Sequence, residues 1–365
     1  MSCIAQDADY GAVSERLRAK ATAGRIPVSG SFELTERCNL SCAHCYINRP
    51  VDDATALAEE MTRDEVFAIF DKLAHAGCLW LAFTGGEPMV RPDFADIYSR
   101  ARELGFLVSV FTNATLVTPR IVALFTRMPP FTVEVTVYGI TRATCERVTG
   151  APGSFDRCMD GVRRLADAGV RLELKTTVSV LNQGDLGAIR QLAADLGALF
   201  RFELLLNNRL DGTRQGGRVA LSPREIAEID LADGRVREIR LAAANRPRDT
   251  GPGSNLYTCS AGIRAFHVDA RGRLMPCIMV RRPAFDLLAG SFADGFDGPI
   301  RDAVRAVRTA QAPCAGCEVA SVCDACPGWG LIEKGDPEAA VDFLCEVARE
   351  RGRMLGLAGS DRRVP

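Results

Sequence analysis

Ten of the fourteen cysteines fall into two groups whose spacing suits metal. The first is Cys38-x-x-x-Cys42-x-x-Cys45. Three thiolates on one short loop can hold three irons of a [4Fe–4S] cube and leave the fourth iron open to another ligand. A structural zinc site usually closes four ligands, often in C-x-x-C pairs, and is the bland alternative for the spacing taken alone. The second group runs from Cys259 through Gly272 to Cys277, then Cys314-x-x-Cys317, Cys323-x-x-Cys326 and Cys345. Cys314–Cys326 alone could be a zinc ribbon, but that leaves Cys259, Cys277 and Cys345 without a role. A third feature is Gly85-Gly86-Glu87-Pro88. Its glycines permit close backbone approach, and a carbonyl or Glu87 can accept from an ammonium; alone, the segment could be a simple turn.

These residues need a frame. From about residue 29 to 230, strand-like and helix-like segments alternate. The strand candidates are Ser29–Thr35, Leu79–Thr84, Leu107–Thr112, Thr132–Tyr138, Arg171–Val178 and Phe200–Leu206, short and rich in β-branched or aromatic residues. Amphipathic stretches separate them: Thr62–His75 with a Thr62/Glu65 capping box, Pro92–Leu104, Pro119–Thr126, Phe155–Ala168 and Asp185–Leu196. A further helix starts near Ser222-Pro223. Such alternation predicts an α/β fold, a partial (β/α)6 TIM-like barrel with function at the C-terminal strand ends. Cys38 follows the first strand directly and Gly85 follows the second, so both motifs fall at that end.

With Cys38, Cys42, Cys45, His44 before the third cysteine, and Gly85–Pro88 after the second strand, the chain resembles the radical SAM superfamily. The resemblance implies that S-adenosylmethionine (SAM) chelates the open iron and that Gly85, Gly86, Glu87 and Pro88 meet its methionine amino group. It implies an adenine-side place for His44, a ribose-side place for Thr136, a carboxylate contact for Lys175, and a place for Asn113 closing the third strand. The family's usual Arg before Gly150 is Thr149 here, with Arg147 as a substitute. The second cysteine group resembles the SPASM extension, which implies two auxiliary clusters. Cys314, Cys317, Cys323 and Cys345 would hold the outer one; Cys259, Cys277 and Cys326 would hold the inner one, which has no evident fourth cysteine. The spacing Cys323-Asp324-Ala325-Cys326 is one residue shorter than the family's usual one.

The implied activity is an oxidoreductase reaction. A reduced cluster cleaves SAM to a 5′-deoxyadenosyl radical, which takes a substrate hydrogen. The string Tyr138-Gly139, Val148-Thr149-Gly150 and Lys175 resembles peptide maturases of natural-product biosynthesis. The expected partners are a precursor peptide and a flavodoxin- or ferredoxin-type reductant. Only 37 residues precede Cys38, fewer than the roughly 40 an independent domain needs. A separate leader-peptide-binding protein, or docking on the barrel rim, is therefore expected. Sulfatase-maturase-like or heme-type small-molecule oxidation is the enzymatic alternative; a non-catalytic iron–sulfur carrier or zinc-binding protein is the other.

The expected organisation is an N-terminal segment (1–28), the barrel (29–230), a connector (231–258), the auxiliary-cluster domain (259–350) and a tail (351–365). A formal net charge of −1 offers no electrostatic grip on nucleic acid or an anionic membrane. No apolar run reaches the roughly 18 residues of a membrane span, and Met1 to Tyr10 lacks a secretory pattern. A cytoplasmic location is expected, where clustered cysteines favour metal over disulfides. Cys3, Cys78, Cys145 and Cys158 read as small hydrophobes, His75 as solvent-facing, His267 as structural, and Trp329 as packing for the small domain.

Overall fold

The computed structural model describes residues 10–47, 49–211, 213, 218–246 and 248–357. Cys3 and the tail beyond residue 357 lie outside them. Eleven strands are described: β1 (Ser29–Thr35), β2 (Arg37–Cys38), β3 (Arg49–Pro50), β4 (Trp80–Gly85), β5 (Leu107–Thr112), β6 (Thr132–Thr136), β7 (Leu172–Thr177), β8 (Leu199–Glu203), β9 (Ala265–Val268), β10 (Arg273–Met275) and β11 (Phe285–Asp286). Nine form one sheet in the order β11-β10-β9-β1-β4-β5-β6-β7-β8. From β9 to β8 every pairing is parallel. The six strands β1 and β4 to β8 are the expected partial barrel, and small cysteine-rich elements follow it.

Side-chain alternation gives the sheet two unlike faces. Phe32, Leu34, Leu81, Phe83, Val108, Val110, Val133, Val135 and Leu174 are buried in the main apolar core. Helices Arg63–His75, Phe94–Glu103, Ser154–Asp167 and Leu186–Asp195 contribute Ile69, Phe70, Ile97, Val162, Leu165 and Ile189 to it. The opposite face carries Ser31, Glu33, Thr84, Ser109, Glu134, Thr136, Lys175 and Arg201, in registers that line them up across neighbouring strands. That face is therefore largely polar. The helix at Arg63–His75 has the expected Thr62 cap and full capping box; the helix at Pro223–Ala232 has the same box from Ser222 and Glu225.

Two features differ from the sequence reading. The stretch read as a connector contains a helix, Gly234–Ala244, capped by Asp233; its exposed surface hides the apolar periodicity that marks a helix. And β9, past the first cysteine of the second group, lies beside β1 in the main sheet, with Ser29 opposite Ala265 and Phe32 opposite Val268. Only four residues long, it gives a weak periodic signal.

The cysteine-rich part is tied down by buried ion pairs. Arg351, 2% exposed, reaches Asp230 at 2.5 Å and Asp324 at 2.6 Å. Arg240 reaches the same two carboxylates at 3.2 and 2.7 Å. Asp324, one of the two residues in the shortened spacing, thus anchors the Cys323–Cys326 turn to two helices, Gly234–Ala244 and Asp342–Leu355. Stranding a buried charge costs about 3–5 kcal/mol. Arg351→Met should therefore destabilise the protein by about 3 kcal/mol, since Arg240 still serves both acids; a denaturant midpoint left unchanged would refute this.

Candidate active site

The Cys38–Cys45 loop leaves β1 and is held from three sides. Beneath it, the buried Arg37 guanidinium pairs with Glu60 at 2.7 Å and donates to the Val51 carbonyl at 2.9 Å. On one flank, Ser41 N–H donates to the Thr149 carbonyl and Ala43 N–H to the Val148 carbonyl, both at 2.9 Å. These carbonyls end the helix Arg142–Thr149, where the last turn lacks intrahelical donors. On the other flank, Gly86 N–H donates to the Thr35 carbonyl at 2.8 Å and Glu87 N–H to the Arg37 carbonyl at 2.9 Å.

That last contact changes the reading of Gly85 and Gly86. A Cβ on Gly85 would sit 2.1 Å from the Thr35 carbonyl oxygen, and one on Gly86 2.2 Å from that of Arg37. The close approach they permit is to the chain's own backbone. Glu87 is turned inward and is fully buried, rather than presented to an ammonium. Its carboxylate accepts from Thr112 Oγ1 at 2.8 Å, Asn113 N–H at 2.7 Å and Met89 N–H at 3.2 Å. Burial nevertheless pushes it up to about 7. Pro88 follows as the first residue of a short 3-10 turn capped by Glu87.

Asn113 does close the third barrel strand. Its amide lies 3.0 Å from Asn39 Oδ1 and 3.8 Å from Cys38 Sγ, and its Oδ1 accepts from Thr115. His44 sits over Tyr138, with Nε2 3.2 Å from the phenol oxygen. Burial lowers His44 to about 4, so the ring is neutral at pH 7; its buried Nδ1 has no partner among the described residues. Thr136 and Lys175 stand opposite each other across β6 and β7. Lys175 Nζ is 3.6 Å from the Glu134 carboxylate and 3.6 Å from the Phe111 ring centroid. Burial lowers it to about 8. Thr149 is buried against Ser154, and Arg147 is exposed and donates to the Leu181 carbonyl.

The ten cysteines gather into three sets. Cys38, Cys42 and Cys45 are within electrostatic reach of one another, and Cys277 is within reach of both Cys326 and Cys259. Cys314, Cys317, Cys323 and Cys345 line one cavity, which Cys326 also borders. Each set has a backbone N–H aimed at sulfur: Leu40 at Cys38 (3.4 Å), Val280 at Cys277 (3.3 Å) and Ala325 at Cys323 (3.4 Å). Such donors favour thiolate, while burial pushes Cys38 up to about 12 and Cys42 well above its ordinary value. A metal bound there would have to displace the thiol protons. The donor set fits iron–sulfur ligation. Among the described residues no three His, Cys, Asp or Glu side chains close around a single ion.

The sequence reading missed Asn39, Tyr138 as the partner of His44, and the Val148 and Thr149 carbonyls. Asn39 had a signal, lying beside Cys38. Backbone carbonyls leave no mark in side-chain type.

Residues 32–189 match the radical SAM superfamily, and the chain carries a radical SAM domain; that domain implies a [4Fe–4S] cluster and SAM. The chain is 34% identical over 169 residues to an AdoMet-dependent heme synthase of Methanosarcina barkeri, covering 46% of this chain and 48% of the relative. It is 26% identical over 270 residues to the PqqA peptide cyclase of Bradyrhizobium diazoefficiens, covering 72% and 70%. SuiB of Streptococcus suis shares the fold with a TM-score of 0.68 at 16% identity, over 92% of this chain and 81% of that one. The chain spans less than half the length of the first curated relatives it matches, 48%, 39% and 45%.

Two predictions follow from the local geometry. Gly86→Val should displace the cysteine loop, so iron at the first site is lost along with SAM binding; iron retained there with SAM binding lost would restore the ligand-contact reading. For Glu87 the raised carboxyl favours folding fully below its ordinary value of 4.5, and that contribution fades as pH rises through about 7. Glu87→Gln should flatten the pH dependence of stability across that window, read from urea midpoints at several pH values.

Proposed function

We propose that the chain is a radical SAM oxidoreductase that modifies a ribosomally made peptide, with Cys38, Cys42 and Cys45 holding the SAM-binding cluster. The observation that carries the chemistry is the convergence of this loop, Gly85–Pro88 and Asn113 at the C-terminal ends of three adjacent parallel strands. When bound, the cluster and SAM supply a carbon radical able to take hydrogen from an unactivated C–H bond.

The chain's own residues set the conditions for that chemistry. Leu40 N–H and the Asn113 amide orient the Cys38 sulfur. Tyr138 fixes the neutral His44 ring, which is proposed to lie on the adenine side of SAM. Lys175 keeps its charge at neutral pH on the strength of Glu134, which it shares with Arg201. A SAM carboxylate would have to compete with Glu134 for it. Cys259, Cys277 and Cys326 are proposed for an inner auxiliary cluster and Cys314, Cys317, Cys323 and Cys345 for an outer one, which would take up electrons as the new bond forms. Tyr257 borders the inner set and is pushed up to about 12, chiefly by burial.

The peptide reading rests on extent of similarity. The match to the peptide cyclase runs through 72% of this chain, whereas the heme synthase match stops at 46%. A SuiB structure contains its precursor peptide SuiA. The second reading, heme-type oxidation of a small molecule, is favoured by the higher identity of the heme synthase. A separate leader-binding protein and a flavodoxin- or ferredoxin-type donor are the proposed partners. No helix among the described residues is long and apolar enough to cross a membrane.

Anaerobically reconstituted protein should hold three clusters. Replacing Cys38, Cys42 and Cys45 with Ala should remove one of them and all formation of 5′-deoxyadenosine. Precursor peptides encoded nearby, supplied with SAM, reductant and any recognition protein, should lose hydrogen by mass spectrometry. Oxidation of a porphyrin with every peptide untouched would select the second reading. Cys277→Ala should abolish product while sparing some SAM cleavage; full product formation would reduce the inner set to scaffolding.

A further inference from the structure

The cavity of the outer cysteine set contains a charge with no visible purpose. Arg308 lines it beside Cys314 and Cys317. The residue is 8% exposed. Its Nε has no hydrogen-bond partner, and its guanidinium forms no ion pair, among the described residues. The acid that borders the same cavity, Glu338, is spent on a neighbour of Arg308: its carboxylate accepts from Thr309 N–H at 2.7 Å and Thr309 Oγ1 at 2.8 Å. Asp324 is likewise committed, to Arg240 and Arg351. A guanidinium held out of water without a counter-charge is costly. A fold that keeps one there needs an anion to face it.

Two further arginines border the cavity. Arg248 is tied to the Ala325 carbonyl at 3.3 Å and Thr258 Oγ1 at 3.1 Å. Arg349 enters from the helix Asp342–Leu355. Against the dominant effect of burial, Arg308 and Arg248 favour the Cys314 thiolate and Arg349 that of Cys345. Asp342 works the other way on Cys345. Of the three arginines, Arg308 is the most buried, and the backbone around it is pinned: Arg308 N–H donates to the Ser254 carbonyl and Gly253 N–H to the Arg308 carbonyl, both at 2.9 Å.

We infer that Arg308 is the built-in counter-charge of the outer four-cysteine centre and sets its reduction potential. The inference rests on the proposal that Cys314, Cys317, Cys323 and Cys345 hold a cluster. A cube with four thiolates is anionic and gains a further negative charge on reduction; charge near the cluster is one of the factors that fix its potential. A cation at close range stabilises the reduced state more than the oxidised one. Removing it must lower the potential, and the weak screening of a buried site makes the effect large. Arg308 is a positioning and tuning residue; it is not assigned a contact with substrate or SAM.

The test is a redox titration of the fully loaded protein followed by electron paramagnetic resonance. The outer signal is identified as the one lost in Cys345→Ser. In Arg308→Gln the reduced-to-oxidised ratio of that signal at fixed potential should fall about tenfold, equivalent to about 59 mV for one electron, with the other two signals unmoved. Arg308→Lys should stay near the parent. Selective loss of the outer iron in Arg308→Gln but not in Arg308→Lys would also support the inference, because the charge would then be needed for assembly. An unchanged potential in Arg308→Gln overturns it. Equal losses in the Gln and Lys variants, of iron, potential or soluble protein, overturn it too, since shape would then matter and charge would not. A parent protein with fewer than three clusters, or iron unchanged in Cys345→Ser, would instead remove the underlying reading.

Discussion

The site depends on a place where two backbone segments meet with no room for a Cβ. Gly85 and Gly86 lie against the carbonyls of Thr35 and Arg37, and the two N–H···O bonds made there fix how the chain leaves β1. Everything chemical follows from that exit direction. It places Cys38 beside the Asn113 amide and lets Ser41 and Ala43 reach the helix end at Val148 and Thr149. Glycine is required twice over at Gly85, which also has φ of 121°, a backbone region that other residues rarely enter.

Around this contact the chain invests buried charge. Arg37 and Glu60 lie beneath the loop. Glu33, held at about 2 against burial by His267 and Arg281, joins β1 to β9 and to the segment following Cys277. Ser31 completes that group through His267 Nδ1 at 2.8 Å. Such networks are weak sources of net stability, but they penalise alternative arrangements in which one member is stranded. Here they connect the barrel to the cysteine-rich part at the level of side chains, and β9 does so at the level of backbone.

The barrel was legible because its strands and helices obey their periods. Ser29–Thr35 and Leu107–Thr112 have the observed limits, and Thr62 and Ser222 cap as their sequences imply. The two cysteine groups stood out in the sequence because spacing and residue type are both unusual. Side-chain direction was not. Glu87 looked like a ligand for an ammonium and is instead a buried acceptor for the end of β5. Lys175, for which a contact with the SAM carboxylate was implied, pairs with Glu134 and lies over Phe111. In both cases the partner lies on a neighbouring strand, and single-chain periodicity carries no information about cross-strand partners. His267 shows the same limit: its contacts with Glu33 and Ser31 join two adjacent strands that lie far apart in the sequence.

The pairing of β9 with β1 has a consequence for how the protein is made. A strand emerging early in synthesis waits for a neighbour encoded far downstream, with Ser29 opposite Ala265. Contacts of such sequence separation form late. Until then β1 presents a bare hydrogen-bonding edge, the kind of edge that templates association between chains, immediately next to Cys38, Cys42 and Cys45. That strand edge and the Cys38–Cys45 loop are therefore exposed together until the residues of β9 have been made.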